Sequence, residues 1–129
     1  MTGPVLDIRV TLHGSITVLK PIGWLSATTR PELDSRFRAA TDSGGFRIVV
    51  DLSSAHFSDN STLATFAYWR SALSSRGGCL VLASPNGNAL RALKAGQLDK
   101  YLPICDSVAE ALDLAKQKTE SGRWAPITA

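Results

Sequence analysis

Two aspartates stand where carboxylates could do acid and base chemistry. Asp51 follows a short apolar run, and Asp59 precedes the periodic apolar segment that begins at Leu63. One carboxylate at the end of a buried strand and another at the start of a helix could act as a general acid and base pair. Carboxylates at such positions also cap turns and helices. We interpret Asp51 as a structural cap and leave both interpretations open for Asp59.

Cysteine and histidine are the other side chains that could react or bind a metal. Cys79 and Cys105 have no C-x-x-C spacing, and only His13 and His56 could accompany them. The number and spacing of these cysteines and histidines are typical of neither a zinc site nor a disulfide scaffold. We therefore predict no metal site and interpret the cysteines as two small buried hydrophobes.

Signatures of common enzymes are absent from the sequence. It contains no G-x-S-x-G elbow, no G-x-x-x-x-G-K-[ST] phosphate loop, no G-x-G-x-x-G after a strand and no H-E-x-x-H. We predict that the protein is not an enzyme and that it has no catalytic residue and no cofactor.

The segment 53–62 is the most informative part of the chain, because it leads from a buried strand into a helix. The first amides of a helix are unpaired and carry positive partial charge, so a phosphate added there is stabilised and can reorganise an interface. Ser58 and Ser61 supply hydroxyls at this junction, with Asp59 and Asn60 between them. The alternative is that Asp59 or Asn60 simply caps the helix.

Hydrophobic periodicity predicts the elements that position these residues. Alternation at 6–12 and 16–20 predicts an opening hairpin. Thr29 and Glu32 have the spacing of a capping box, which predicts that a helix starts there. Further strands are predicted at 46–52, 79–83 and 102–105, and further helices at 63–73, around 90–96 and from 107 to about 119. The order ββαβαβαβα predicts an α/β domain whose mostly parallel sheet has about five strands and an antiparallel edge hairpin, with about four helices.

Composition and charge limit the class of protein. The 129 residues, of which 44% are hydrophobic and 19% charged, fit one soluble globular domain. We place the domain at 1–119 and a tail at 120–129. The net charge of +3 is spread thinly, so we predict no direct contact with nucleic acid. No window is apolar enough for a membrane span and no targeting leader is recognised, so we expect a cytoplasmic protein without membrane insertion.

Several short segments, taken in their order and spacing, resemble the STAS domain of anti-sigma factor antagonists. The segments that carry the resemblance are 23–33, 48–53, 57–63, 76–82, 96–100 and 106–112. The resemblance runs from about residue 6 to residue 115 and implies a small cytoplasmic α/β protein without catalysis of its own. It further implies binding to an anti-sigma factor, often a serine protein kinase that phosphorylates the antagonist, and release of a sigma factor for transcription.

The sequence departs from the family pattern at the switch. Relatives usually have Asp-Ser-Ser-Gly-Leu or Asp-Ser-Thr-Gly-Leu, with phosphate added to the residue after the Asp, and Asn60 holds that position. Asparagine has no hydroxyl to accept phosphate and no negative charge to mimic it. Thr62 replaces the customary glycine, and Trp24 and Ser26 stand where many relatives have acidic residues.

Two interpretations of Asn60 remain open. We favour a permanently unphosphorylated binder; in the alternative, Ser61 or Ser58 has become the acceptor. Trp24 is either an exposed anchor for a partner or packs over the sheet edge. The positions predicted to bind the partner are Trp24, Ser26, Asp59, Asn60, Ser61, Thr62 and Thr65.

Other functions are also consistent with the resemblance. A STAS-type accessory subunit of a membrane transport system would use the same fold without phosphorylation. The resemblance also makes the last two strands neighbours, so Cys79 and Cys105 could form a redox pair that acts as a switch in a redox-sensitive regulator. Homodimerisation is left open.

Overall fold

The described part of the chain begins with the predicted antiparallel hairpin, formed by β1 (Leu6–His13) and β2 (Ile16–Leu25). The structure is a computed structural model that describes residues 6–117, so the tail predicted at 120–129 lies outside the described residues. Gly14 turns the hairpin with a φ of 63°, a conformation that glycine adopts without strain. β2 continues to Leu25 instead of ending near Lys20.

Four more strands and four helices follow along the described chain. They are α1 (Arg30–Asp42), β3 (Arg47–Asp51), β4 (Ala55–Phe57), α2 (Ser61–Ser74), β5 (Cys79–Ala83), α3 (Gly87–Ala95), β6 (Ile104–Cys105) and α4 (Val108–Gln117). A short 3-10 helix, Leu98–Lys100, lies between α3 and β6. The predicted α/β domain with a mostly parallel sheet and an antiparallel hairpin is confirmed, with β4 as an additional strand.

β4 is the strand that the sequence pattern does not reveal. Its residues are alternately buried, exposed and buried, but serines flank it on both sides, so the segment looks like a polar loop. β4 pairs in parallel with residues 23–25, and this pairing explains why β2 continues to Leu25. The end of β2 therefore lies beside the segment that leads into α2.

The sheet has the order β1-β2-β3-β5-β6, with β4 beside the end of β2. Only the β1–β2 pair is antiparallel among the strand pairs of residues 6–117. Phe37 from α1 and Phe66 from α2 are fully buried in the larger core, on one face of the sheet. On the other face, Ala111 and Ala115 of α4 pack against Val81. Because the carboxyl ends of parallel strands meet at one edge, the loops that follow them share one surface.

Asp34 and Trp69 fasten α1 to α2. The Trp69 indole N–H donates to Asp34 Oδ1 at 2.7 Å, and the Trp69 ring stacks on Phe37 with 5.3 Å between ring centroids. Arg38 donates to Asp34 Oδ2 at 3.3 Å and lies 5.7 Å from the Trp69 ring centroid. These contacts fix the two helices relative to each other, and both helices begin at the edge that carries the loops.

Candidate functional site

The loop between β2 and α1 is held by the hydroxyl of Thr29. This hydroxyl donates to the Trp24 carbonyl at 2.7 Å and accepts from the Ser26 amide at 3.0 Å. The predicted capping box at the start of α1 is wrong, because the Thr29 side chain makes no cap hydrogen bond. Ser26 and Thr29 are buried, so the loop presents Ala27 and Thr28 to solvent.

Asp59 joins this loop to the segment between β4 and α2. Its Oδ2 accepts from the Ala27 amide at 3.0 Å. Its Oδ1 accepts from the Ser61 amide at 2.9 Å and from the Ser61 hydroxyl at 2.5 Å. A second link is the Ser58 amide, which donates to the Leu25 carbonyl at 3.0 Å. We call the exposed residues that these bonds hold together the two-loop surface: Ala27, Thr28, Ser58, Asp59 and Asn60.

The hydrogen bonds to Asp59 favour its charged form. The Ser61 hydroxyl contributes most to lowering the pKa of Asp59, followed by the amides of Ser61 and Ala27, while slight desolvation acts in the opposite direction. Asp59 is therefore a carboxylate at neutral pH. It provides a fixed negative charge at the start of α2, where the helix dipole favours an anion.

We expect the Asp59 bridge to persist to lower pH than an ordinary aspartate would allow. Because its folded pKa lies below the ordinary 3.8, its contribution to stability is fully present above that pH and is lost as the pH falls through the lowered value. In an NMR titration, the amide protons of Ala27 and Ser61 shift together with a midpoint below 3.8. The Asp59→Asn variant should lack this transition. A midpoint at or above the ordinary value, or separate midpoints for the two amides, would contradict the bridge.

The hydroxyls of Ser58 and Ser61, on either side of Asn60, both make hydrogen bonds within the protein. Asn60 is the N-cap residue of α2, but its exposed side chain makes no cap hydrogen bond. Ser61 Oγ donates to Asp59, and Ser58 Oγ donates to the Leu25 carbonyl at 3.2 Å. The position at which the family pattern has its acceptor is therefore exposed and lacks a hydroxyl.

Three of the predicted partner-binding residues are buried. Thr62 is fully buried, Thr65 is 6% exposed and Ser26 is 7% exposed. Thr62 and Thr65 lie on the inner face of α2, so the bulk of Thr62 faces the core rather than a partner. Ser26 and Thr62 therefore shape the site from within, whereas Thr65 also lines a groove between α1 and α2, and partner binding by these three residues stays a prediction. Trp24, Asp59 and Asn60 are exposed and Ser61 is half-buried.

Trp24 lies on β2 beside His56 of β4. The two rings meet edge to face with 4.5 Å between centroids, and Trp24 keeps 45% of its surface exposed. Trp24 therefore packs on the sheet beside β4 and also keeps nearly half of its surface exposed, and its role as an anchor for a partner stays a prediction. The contribution of His56 was missed, since β4 itself was not predicted.

Two asparagines hold β4 from the side of α3. Asn88 accepts from the Phe57 amide at 2.7 Å and donates to the Phe57 carbonyl at 3.4 Å. Asn86 Oδ1 caps α3 by accepting from the Ala89 amide at 2.9 Å. Asn86 Nδ2 donates, at 2.8 to 3.4 Å, to the carbonyls of Leu52, Ser53 and Ala55. Sequence reasoning missed this support, because an S-P-N-G-N segment signals only a turn.

A groove of about 410 Å³ lies between α1 and α2, next to the two-loop surface. Thr65 lines it from α2, and Tyr68, which is 57% exposed, stands at its side. Arg30, Asp34 and Arg38 line it from α1. The groove offers a partner an aromatic ring and charges of both signs.

Asp51, Cys79 and Cys105 are the other side chains that the sequence offered for chemistry. Asp51 accepts from the Ser53 amide at 3.0 Å, which confirms its interpretation as a cap of a turn. Cys105 lies opposite Ala83, four residues beyond Cys79 along β5. At roughly 3.3 Å per residue this register separates the cysteines by about 13 Å, whereas a disulfide needs Cα atoms within about 7 Å. The strand register therefore contradicts the predicted redox pair.

Residues 6–117 contain neither a cluster of metal ligands nor a helix that could span a membrane. No group of three or more His, Cys, Asp or Glu side chains is arranged to hold a metal ion. No helix is long and apolar enough to cross a membrane.

Comparison with known proteins identifies the fold. A candidate anti-sigma factor antagonist from Thermotoga maritima superposes with a TM-score of 0.76 at 23% identity, covering 85% of this chain and 95% of that one. An anti-sigma factor antagonist from Mycobacterium paratuberculosis gives 0.72 at 18% identity, with 88% and 96% covered. The Bacillus antagonist SpoIIAA, in its unphosphorylated form, gives 0.72 at 15% identity, with 85% and 96% covered.

Sequence comparison gives the family. None of the curated proteins matches the chain. The family model of the STAS domain matches residues 7–111, which include both loops of the two-loop surface, Trp24 and the asparagines that support β4. The protein therefore belongs to the STAS domain family.

Proposed function

We propose that this protein binds an anti-sigma factor through the two-loop surface and thereby frees a sigma factor for transcription. The observation that carries the proposal is the Asp59 bridge, because it holds two loops as one exposed surface at the amino end of α2. The solved anti-sigma factor antagonists with the same fold support it. Binding rests on complementary shape and charge, and no reaction takes place at the surface.

The chemistry of the surface indicates what a partner must offer. Asp59 supplies a negative charge, which calls for a lysine or arginine on the partner. Trp24 supplies a large, partly exposed apolar ring, and such rings often dominate the energy of an interface. Tyr68 and the groove between α1 and α2 extend the contact along the helices.

We further propose that the protein is a permanently unphosphorylated antagonist. Asn60 has no hydroxyl to receive a phosphoryl group, and the hydroxyls of Ser58 and Ser61 are both used in internal hydrogen bonds. Phosphate on Ser61 would replace the hydrogen bond to Asp59 with repulsion between two anions. Without a phosphorylation cycle, the activity of the protein would follow its abundance in the cell.

Affinity capture from the host's own cytosolic and membrane fractions, with ATP present, tests this function. We expect the protein to retain an anti-sigma factor and to keep its intact mass, whereas the Asn60→Ser variant gains about 80 Da, the mass of one phosphoryl group. The variant is the matched control, because it restores only the acceptor hydroxyl. A mass gain at Ser58 or Ser61 of the unaltered chain would contradict the loss of the switch. Retention of a transporter subunit alone, from membranes, would replace the proposed function with that of a transport accessory.

A further inference from the structure

The outer edge of β1 carries backbone groups that no strand of residues 6–117 pairs with. The Gly23 amide, opposite Leu6, donates away from β1 to the Ser54 carbonyl at 3.1 Å, so Leu6 and Gly23 form a non-hydrogen-bonded pair. Such pairs alternate with hydrogen-bonded ones along an antiparallel ladder. The residues whose N–H and C=O groups face the outer edge are therefore Leu6, Ile8, Val10 and Leu12.

The same part of β1 exposes apolar side chains. Val10 is 46% exposed and Leu12 is 73% exposed. Both line a groove of about 510 Å³ between the hairpin and the carboxyl half of α1, where Ala39 and Ala40 form part of the opposite wall. Long edge strands with exposed apolar residues are usually covered or blocked in folded proteins, because they readily pair with another strand.

We propose that two copies of this protein pair antiparallel along β1, with Val10 opposite Val10 of the second copy. This register packs the exposed Val10 side chains of the two copies together and sets the exposed Leu12 of each copy beside the buried Ile8 of the other. On the other face it sets Asp7 opposite His13, where the imidazole can donate to the carboxylate. The strand is thus complementary to itself in both apolar and polar contacts, as a two-fold interface requires.

Three other registers also pair the outward-facing residues of β1 with each other, and each is less favourable. A pair centred on Thr11 joins only residues 9–13 and sets Arg9 opposite His13, so it loses the contact between Asp7 and His13. A pair centred on Arg9 places the two arginines directly opposite each other, which destabilises a strand pair. A pair centred on Ile8 joins only residues 6–10 of each described chain and leaves Leu12, the most exposed apolar side chain of β1, without a partner. The register centred on Val10 avoids the faults of all three.

The paired strands leave the two-loop surfaces accessible. The two-loop surface lies at the end of β2 that adjoins Leu6, and an antiparallel pair puts the Leu6 ends of the two copies at opposite ends of the joined sheet. The dimer therefore uses a different surface from the proposed anti-sigma binding and is compatible with it. We expect it to dissociate at micromolar concentrations, because a single strand pair is a small interface.

Cysteine cross-linking tests the register. Val10→Cys places two thiols in a hydrogen-bonded pair with Cα atoms about 5.5 Å apart, a distance a disulfide can span. Thr11→Cys is the matched control, because its equivalent in the second copy is displaced by two residues and lies about 8 Å away. We expect Val10→Cys to cross-link at least tenfold faster, against a background set by Cys79 and Cys105 in the unaltered chain. Equal rates for the two variants would overturn the register.

Sedimentation equilibrium and a charge exchange test the dimer itself. We expect twice the 13.8 kDa chain mass at high concentration, weaker association in Asp7→Lys, and recovery in Asp7→Lys combined with His13→Asp. Both positions are exposed, so circular dichroism should show every variant folded. A chain that remains monomeric at all concentrations, or a double variant no stronger than Asp7→Lys, would overturn the proposal.

Discussion

Asp59→Lys is expected to lower the affinity for the anti-sigma factor at least about tenfold. The substitution removes the acceptor that holds the Ala27 and Ser61 amides in one arrangement, so the two loops lose their common geometry. It also reverses the charge that the partner is proposed to meet and places a cation at the amino end of α2, where the helix dipole disfavours it. The fold should persist, because Asp59 is exposed and the freed amides can bind water.

Titration calorimetry with the captured partner measures this loss of affinity. Two further variants serve as controls for the change in charge. Asp42→Lys makes the same charge change at the exposed carboxyl end of α1, far from the loops, and should bind normally. Asp59→Asn removes the charge without reversing it and keeps one acceptor oxygen for either the Ala27 or the Ser61 amide, so it should fall between the unaltered chain and Asp59→Lys. Normal binding by Asp59→Lys, or an equal loss in Asp42→Lys, would show that the two-loop surface is not the binding site.

Asn86→Ala is expected to destabilise the fold by about 2–4 kcal/mol. The substitution removes the cap of α3 and also the donor that satisfies three carbonyls around the start of β4. Because β4 leads directly into Asp59, the loss should loosen the two-loop surface as well as the core. Urea unfolding gives the free energy, and hydrogen exchange at Phe57 reports on β4.

Asn86→Asp separates the two roles of this side chain. The carboxylate can still accept from the Ala89 amide and cap α3, but it cannot donate, and it faces carbonyl oxygens of the turn before β4. We therefore expect a loss of stability comparable to that of Asn86→Ala. Stability equal to that of the unaltered chain would mean that the cap alone matters and that the asparagine does not hold β4.

The sequence predicted the large elements of the fold because each has a clear apolar pattern. The hairpin alternates, β3 and β5 are short apolar runs, and the helices repeat their apolar residues at helical spacing. β4 escaped prediction because only Ala55 and Phe57 point inward from an otherwise polar segment. A strand of three residues is decided by its partner, here residues 23–25, rather than by its own composition.

The candidate site was predicted in position but not in detail. Asp59 and Asn60 were recognised from the junction with α2, and Trp24 from the resemblance. The direction of Thr62 and Thr65 follows from how α2 rotates against α1 and the sheet, which the contact between Trp69 and Asp34 fixes. The Thr29 hydroxyl could either cap α1 or bond within the loop before it. In the structure it donates to the Trp24 carbonyl and does not cap the helix. Such choices depend on tertiary contacts that no local pattern contains.

The most direct test of the central claim is a sigma-release assay that runs long enough for phosphorylation to occur. The captured anti-sigma factor is loaded with its sigma factor, and free sigma is followed over time after adding this protein and ATP. We predict release that persists with the unaltered chain, release that decays with Asn60→Ser as its intact mass rises, and little release with Asp59→Lys. Absence of release by the unaltered chain, or release that decays while its own mass increases, would contradict the account.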